Sequence, residues 1–313
     1  MIEPTGKIVL IAPRAEMGQG IATTLAALVA EELEVSLDQV EVQHGPASGA
    51  YYNSGLAGDA VPFASFEHGT MAQTMRAIMG SVTKLASLQV TGGSSSIVDA
   101  YEKMRVAGAT AREMLKAAAA ERLGVVADTL KAENGEIFDP ASGTRIAYGD
   151  LVLDAAKLTP PDDVKLKDRK DWKLLGKPQR RVDMRAKVTG AAIFGMDLRL
   201  PDMVYGTVKM NPNLTGKMKS FDAAEALKIP GVIKIFEIKC QSGQGVGIIA
   251  DNTWTAFKAA DAVKVEWDKA PYPQDSAAMF ELLEDALKPG TGSSLRTLGD
   301  VDIAFADAPA GKV

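Results

Sequence analysis

The sequence predicts an α+β chain divided into two domains. Three observations carry that expectation: a strand–turn–helix–strand run over residues 7–43, a Pro-rich, charged stretch at 159–171, and strand-rich texture beyond it with only short helices. At 313 residues the chain is long enough for two domains. Its apolar share of 46% and charged share of 24% are those of an ordinary globular protein. A net charge of −5 gives no electrostatic reason to expect nucleic acid or an anionic membrane surface, so an anionic ligand would need local dipoles.

Ile8 to Ile11 is a short continuous apolar run, as in a strand buried on both faces. Arg14-Ala15-Glu16-Met17-Gly18-Gln19-Gly20 follows, and Ile21 to Leu33 carries Leu25, Leu28, Val29 and Leu33 at helical spacing. Gln39 to Gln43 alternates, with Val40 and Val42 inward. The whole reads as one βαβ-like unit with the Gly-Gln-Gly turn at the helix entry. Such a turn offers backbone N–H groups and a positive dipole end, which suits a phosphate; an ordinary tight turn is the other reading.

Residues 46–62 read as loop, and a Met-rich helix follows over 69–88 with Met71, Met75, Ile78, Met79 and Val82 on one face, a spacing that predicts core. Thr91-Gly92-Gly93-Ser94-Ser95-Ser96 then opens a long helix to Leu123, stopped by Gly124. Ser95 or Ser96 suits the N-cap; alternatively the hydroxyls contact the same anion as the first turn. Leu130 to Phe138 and Gly143 to Ala147 read as a hairpin around 139–143, followed by a short helix, 148–157. A solvated linker is expected over 159–183. Strands are expected at 191–198, 203–209, 232–238, 246–250 and 263–267, with helices at 222–227, 253–262 and 277–287. Residues 271–313 read as a loop-rich tail.

Cys240 is the only cysteine and His44 and His68 the only histidines, so neither an iron–sulfur cluster nor a protein-ligated metal site is expected on this chain. Cys240 itself reads as a structural strand-end residue. There is no Walker loop and no nucleophile elbow, and Thr23 stands where a dinucleotide fingerprint has its third glycine. No apolar run reaches membrane-spanning length. Both ends read as cuts in a longer polypeptide.

Glu16-Met17-Gly18-Gln19-Gly20, the helix through Glu31-Glu32-Leu33 and Val40-Glu41-Val42 resemble a segment of the molybdenum hydroxylases, the xanthine dehydrogenase and aldehyde oxidoreductase family. The later part is similar to that family's hammerhead domain in Lys187-Val188-Thr189-Gly190, Leu200-Pro201-Asp202-Met203-Val204-Tyr205-Gly206, Ile229-Pro230-Gly231-Val232 and the 256–267 ending. The Gly-Gln-Gly block precedes the hammerhead, which resembles the large (beta) subunit of isoquinoline 1-oxidoreductase and its aldehyde-dehydrogenase relatives. The resemblance implies the N-terminal part of a molybdopterin-binding domain (1–158), a linker (159–183), a hammerhead-type α+β domain (184–270) and a tail (271–313). It implies cofactor contacts at Gly18, Gln19, Gly20, Gly92, Gly93, Ser94, Ser95 and Ser96, and no catalytic or metal-ligating residue. The pterin is expected in a dinucleotide form in the full-length protein, with none bound to this fragment alone.

The implied activity is hydroxylation of an aldehyde or N-heterocycle with water as oxygen source. Electrons would leave through 2Fe-2S clusters on a small iron–sulfur subunit, in a bacterial, periplasmic setting. The family's general-base glutamate sits in a Gly-x-Gly-Glu setting; here 269–313 offer only Gly290-Thr291-Gly292-Ser293, so this chain is expected to be inactive alone. Two other readings stand beside this one: a non-catalytic binding or subunit-assembly module, and a nucleotide-binding protein built on the βαβ unit.

Overall fold

The computed structural model describes residues 1–58, 60–64, 66–273, 275–288, 292–293 and 299–309. Gly290 and Thr291 of the Gly-Thr-Gly-Ser stretch, and the terminal residues 310–313, lie outside the described residues. The chain forms two compact units, Met1–Ile193 and Phe194–Val313.

In the first unit β1 (Ile8–Ala12) leads through the Gly-Gln-Gly turn into α1 (Ile21–Leu33), and β2 (Val40–His44) returns parallel to β1, Ile8 facing Val40 and Ala12 facing His44. α1 is buried almost all round, including Leu25, Ala26, Ala30 and Leu33, because α2 (Thr70–Leu85) is followed by a 29-residue α3 (Ser95–Leu123) that packs along it. The crossing is close: a Cβ on Gly108 of α3 would lie 2.6 Å from the Val29 carbonyl oxygen and 3.0 Å from the Glu32 Cβ. Gly108→Ala therefore forces the helices apart, and we expect a loss of about 1–3 kcal/mol in a denaturant titration despite alanine's better helix propensity. A neutral or stabilising result would contradict that packing.

Leu130 to Phe138 does not form one arm of a hairpin. It folds on itself at Asn134 and Gly135, both left-handed (φ 51° and 83°), so that β3 (Lys131–Glu133), β4 (Glu136–Phe138) and β5 (Arg145–Ala147) make a three-stranded antiparallel sheet. An Asn-Gly pair is the usual two-residue hairpin turn, and each strand is too short to show alternation by itself. α4 (Tyr148–Ala155) closes this sheet against the core; the buried Tyr148 hydroxyl donates to the Leu33 carbonyl at the end of α1, 2.8 Å away.

The Met-rich helix is present as α2, but its apolar face is not core. Met71, Ile78 and Val82 are exposed, and among its described residues only Ala72 and Thr83 are buried. Periodicity identifies the apolar face of a helix; a neighbouring element must cover it.

Residues 165–183, expected as solvated linker, form a strap along α1. Glu31 and Glu32 are 1% and 0% exposed and reach it from the last turn of α1. Glu31 accepts from the Lys167 ammonium at 2.5 Å and from the N–H groups of Lys173, Leu174 and Leu175 at 2.6–3.0 Å. Glu32 accepts from Arg105 Nε at 2.8 Å and from the Lys167 N–H at 3.1 Å. Further along, the Val182 N–H donates to Thr23 Oγ1 at 3.1 Å, and α5 (Met184–Val188) follows. Lys167 and Lys173 of this segment pair with Glu31 and Glu34, while Asp168, Arg169, Lys170 and Asp171 stay exposed as the solvated reading expects.

In the second unit β6 (Tyr205–Met210), β8 (Val232–Cys240) and β9 (Gly243–Ala250) form an antiparallel sheet in the order β6-β9-β8. β7 (Met218–Asp222) pairs with β10 (Lys264–Trp267). α6 (Thr253–Ala262), capped by the Asn252 side chain on the Thr255 N–H, packs its Ala256 and Ala259 on Val246, Ile248 and Ala250. α7 (Ser276–Ala286) and α8 (Val301–Ala306) are capped by Asp275 and Asp300. Residues 191–198 are not a strand: they turn, with a 3-10 segment at Gly195–Asp197. The helix expected at 222–227 is absent too; Asp222 ends β7 and only a 3-10 turn, Ala226–Lys228, follows. β7 is polar, Met-Lys-Ser-Phe-Asp, and owes its form to its partner β10 rather than to an apolar pattern. Cys240 ends β8, exposed, with its sulfur 3.1 Å from the Ser242 hydroxyl, which holds the thiol below its ordinary range.

Candidate cofactor pocket

The two glycine turns of the first unit meet at one open pocket of about 340 Å³. Met17, Gln19, Ile21 and Thr24 line it from the α1 side, and Thr91, Gly92, Ser94, Ser96 and Ile97 from the α3 side. The turns are joined directly, since the Ala15 N–H donates to Thr91 Oγ1 at 2.9 Å. Of the eight residues named from sequence, Gln19, Gly92, Ser94 and Ser96 face this pocket; Gly18, Gly20, Gly93 and Ser95 do not line it.

The reason for the division lies in where the polar groups go. Gly18 and Gly20 are left-handed (φ 105° and 87°), which a side chain would resist and which bends the chain sharply into α1. The N–H groups this exposes do not wait for a ligand. Those of Gly18, Gly20 and Ala22 donate to the Glu16 carboxylate at 2.8, 3.0 and 3.0 Å. The chain's own carboxylate therefore sits where a phosphate was expected at this helix end. Burial would raise the Glu16 carboxyl, but the Ala22, Gly20 and Gly18 N–H groups and the Arg181 guanidinium outweigh it and hold it below the ordinary range. Gln19 is also partly committed: its side-chain oxygen accepts from the Met17 N–H at 2.6 Å and its amide donates to the Ala15 carbonyl at 2.9 Å.

The α3 side is freer. Neither Ser95 nor Ser96 is the N-cap. Ser94 stands at that position, left-handed (φ 54°), and its side chain caps no N–H. Ser95 is buried instead, donating to the Gly92 carbonyl at 2.6 Å and accepting from the Asn53 amide at 2.8 Å. The pocket thus presents hydroxyls of Thr91, Ser94 and Ser96 beside the first turn of a long helix, with Met17, Ile21 and Ile97 as apolar walls. Neutral donors beside apolar walls fit a phosphorylated heterocycle. A larger depression, about 760 Å³, lies beside the strap; two of its cations, Arg112 and Lys116, are each 2.9 Å from Glu113.

Arg14 and Asp99 were not singled out from sequence, yet they hold the two walls together. Both side chains are almost fully buried and ion-paired. Arg14 also donates to the carbonyls of Pro13, Tyr51 and Tyr52, while Asp99 accepts from Lys103 and from the N–H and hydroxyl of Ser54 at 2.6–2.7 Å. The one signal was Arg14 itself, a charge set directly after a buried strand.

Residues 1–65 match the family model of the molybdopterin cofactor-binding domain. The chain is 30% identical to the membrane-bound aldehyde dehydrogenase (pyrroloquinoline-quinone) of Gluconacetobacter polyoxogenes, over 85% of this chain and 31% of that protein. It is 27% identical to the beta subunit of the isoquinoline 1-oxidoreductase of Brevundimonas diminuta (92% and 37%). To a subunit of the nicotinate dehydrogenase of Pseudomonas putida it is 29% identical (94% and 22%). The aldehyde oxidoreductase of Desulfovibrio gigas superposes with a TM-score of 0.30 at 16% identity, over 81% of this chain and 25% of that one. The chain thus spans 22% to 37% of the length of these curated relatives. What these findings define is a molybdopterin cofactor-binding domain segment at residues 1–65. Over most of its length the chain is similar to the beta subunit of isoquinoline 1-oxidoreductase and to the aldehyde and nicotinate dehydrogenases above.

Proposed function

We propose that this chain is part of the large catalytic subunit of a molybdenum hydroxylase that oxidises an aldehyde or an N-heterocycle with water as the oxygen source. The observation that carries the reading is the convergence of the 17–24 and 91–97 segments on one neutral, hydroxyl-lined pocket. In it Thr91, Ser94 and Ser96 would donate to the phosphate side of a molybdopterin, and the remaining Gln19 amide hydrogen to its polar edge. Met17, Ile21 and Ile97 would flank the ring and keep water from it. When bound, the cofactor supplies the two-electron oxidation chemistry that no side chain provides.

These residues bind and orient; none of them is placed as an acid or base. Turnover by the purified 313-residue chain would overturn that assignment. The pterin is taken as a dinucleotide, which needs a second set of phosphate contacts beyond this pocket. Cys240 alone cannot ligate a cluster, so the 2Fe-2S centres belong outside these residues, and we place them on a small partner subunit. The same reading assigns a periplasmic, bacterial setting. Metal and pterin analysis of the complete complex tests it: stoichiometric molybdenum and pterin are expected. Replacing Ser94 and Ser96 together by alanine should lower both about tenfold, equivalent to roughly 1.4 kcal/mol. A complex that retains nucleoside diphosphate and no molybdenum would sink the proposal.

A further inference from the structure

We propose that Arg181 is a positioning residue for the Gly18–Gly20 turn, acting through the Glu16 carboxylate from the strap on α1. The inference rests on the cofactor-pocket reading for its functional meaning and on geometry for its content. Glu16 gathers three N–H groups of the turn and of the first turn of α1 onto one carboxylate that is 7% exposed. That carboxylate fixes the turn only if it is itself held. Arg181 holds it: Nη2 donates to Glu16 Oε1 at 3.0 Å while Nη1 donates to the Gly18 carbonyl at 2.7 Å.

One planar guanidinium thus contacts both the acceptor that organises the turn and the turn's own backbone. Its fork is oriented in turn by Asp183, which accepts from Nε and Nη2 at 2.9 Å each and pairs with Lys187. The adjacent Val182 N–H, bonded to Thr23 Oγ1, registers this part of the strap on α1. Met17 and Gln19 reach the pocket from the same turn, so a residue more than a hundred and sixty positions downstream sets where they stand.

A point charge at 181 would satisfy the ion pair without the second bond to Gly18, which is why arginine is specified. The Arg181 side chain is 28% exposed, and pairs of that kind add little to global stability. Its loss should therefore act locally.

Amide hydrogen exchange on the 313-residue chain reads this directly. In R181Q, protection at Gly18, Gly20 and Ala22 should fall about tenfold while Leu25 to Leu33 stay within about twofold. R181K should recover only part of the loss. E16Q should reproduce it, and the double variant should add nothing further. Unchanged protection at the turn, or an even loss along all of α1, would overturn the proposal. Molybdenum and pterin content of the complete complex forms the second arm. Content reduced in R181Q and partly restored in R181K supports the link to the pocket; a loosened turn with wild-type content overturns that link. A wild-type complex without molybdenum would instead fail the cofactor reading, and the exchange result would still decide the role of Arg181.

Discussion

Glu32→Ala is expected to destabilise the first unit by about 3–5 kcal/mol, the usual cost of removing one partner from a buried ionic cluster. Glu32 is 0% exposed, and Arg105 meets it through two nitrogens, Nε at 2.8 Å and Nη2 at 2.7 Å. Arg112 lies 3.4 Å from the same carboxylate and donates to the Glu32 carbonyl at 2.6 Å. Alanine would leave Arg105, 9% exposed, without its anion and Arg112, 11% exposed, with Glu113 alone. It would also free the Lys167 N–H and loosen the strap. Chemical denaturation of wild type and variant measures the difference; a loss under about 1 kcal/mol would show that the cluster is hydrated and weak.

The neighbouring Glu31 adds a pH dependence. Burial raises its carboxyl, but Lys167 and the N–H groups of Lys173, Leu174 and Leu175 outweigh that and hold it below the ordinary range. A carboxyl lowered in the folded state contributes stability that is present above its unfolded pKa and lost as pH falls through the folded one. Stability should therefore fall on the acid side of the ordinary carboxylate range, and Glu31→Gln should flatten that limb.

Asp99→Ala should cost about 3–5 kcal/mol as well, for the same physical reason, and should also damage the pocket. Asp99 sits on α3 one turn beyond Ser95 and Ser96, and Arg14 lies two residues before Glu16, so their pair ties one pocket wall to the other. Arg14 already carries a buried Nε–H with no acceptor among the described residues, which leaves it little tolerance for losing its anion. Thermal unfolding gives the stability change. Exchange at 91–97 gives the effect on the wall, expected to exceed that of Glu32→Ala. If both variants lose equal stability and the 91–97 amides respond equally, Asp99 is not the link between the walls.

The local elements of the first unit were legible because their signals are local. An apolar run, two glycines and a 3.6-residue apolar period predict a strand, a turn and a helix, and β1, α1 and β2 stand within about a residue of their expected places. α3 and α6 follow for the same reason. The strand expected at 191–198 and the helix at 222–227 failed, and β7 was missed, because short segments take their form from partners.

The pocket was legible in part. The sequence marked the two glycine turns that each start a helix; that Gln19, Gly92, Ser94 and Ser96 share one opening is a tertiary outcome. That the Gly18 and Gly20 N–H groups are already taken is another, because Glu16 could equally have pointed to solvent; only the turn's closed geometry brings it back.

By itself the sequence determined where the chain turns and which faces are apolar, and its short motifs carried the resemblance to the molybdenum hydroxylases. These depend on φ preferences and side-chain periods that act over a few residues. Tertiary structure alone decided three things. The apolar face of α2 is exposed among the described residues, the charged 165–183 segment became a strap bound by Glu31 and Glu32, and Arg181 came to rest on a turn near the other end of the unit. A charge or an apolar stripe carries no address. Its partner is chosen when distant segments meet, and burial then makes that choice costly to undo.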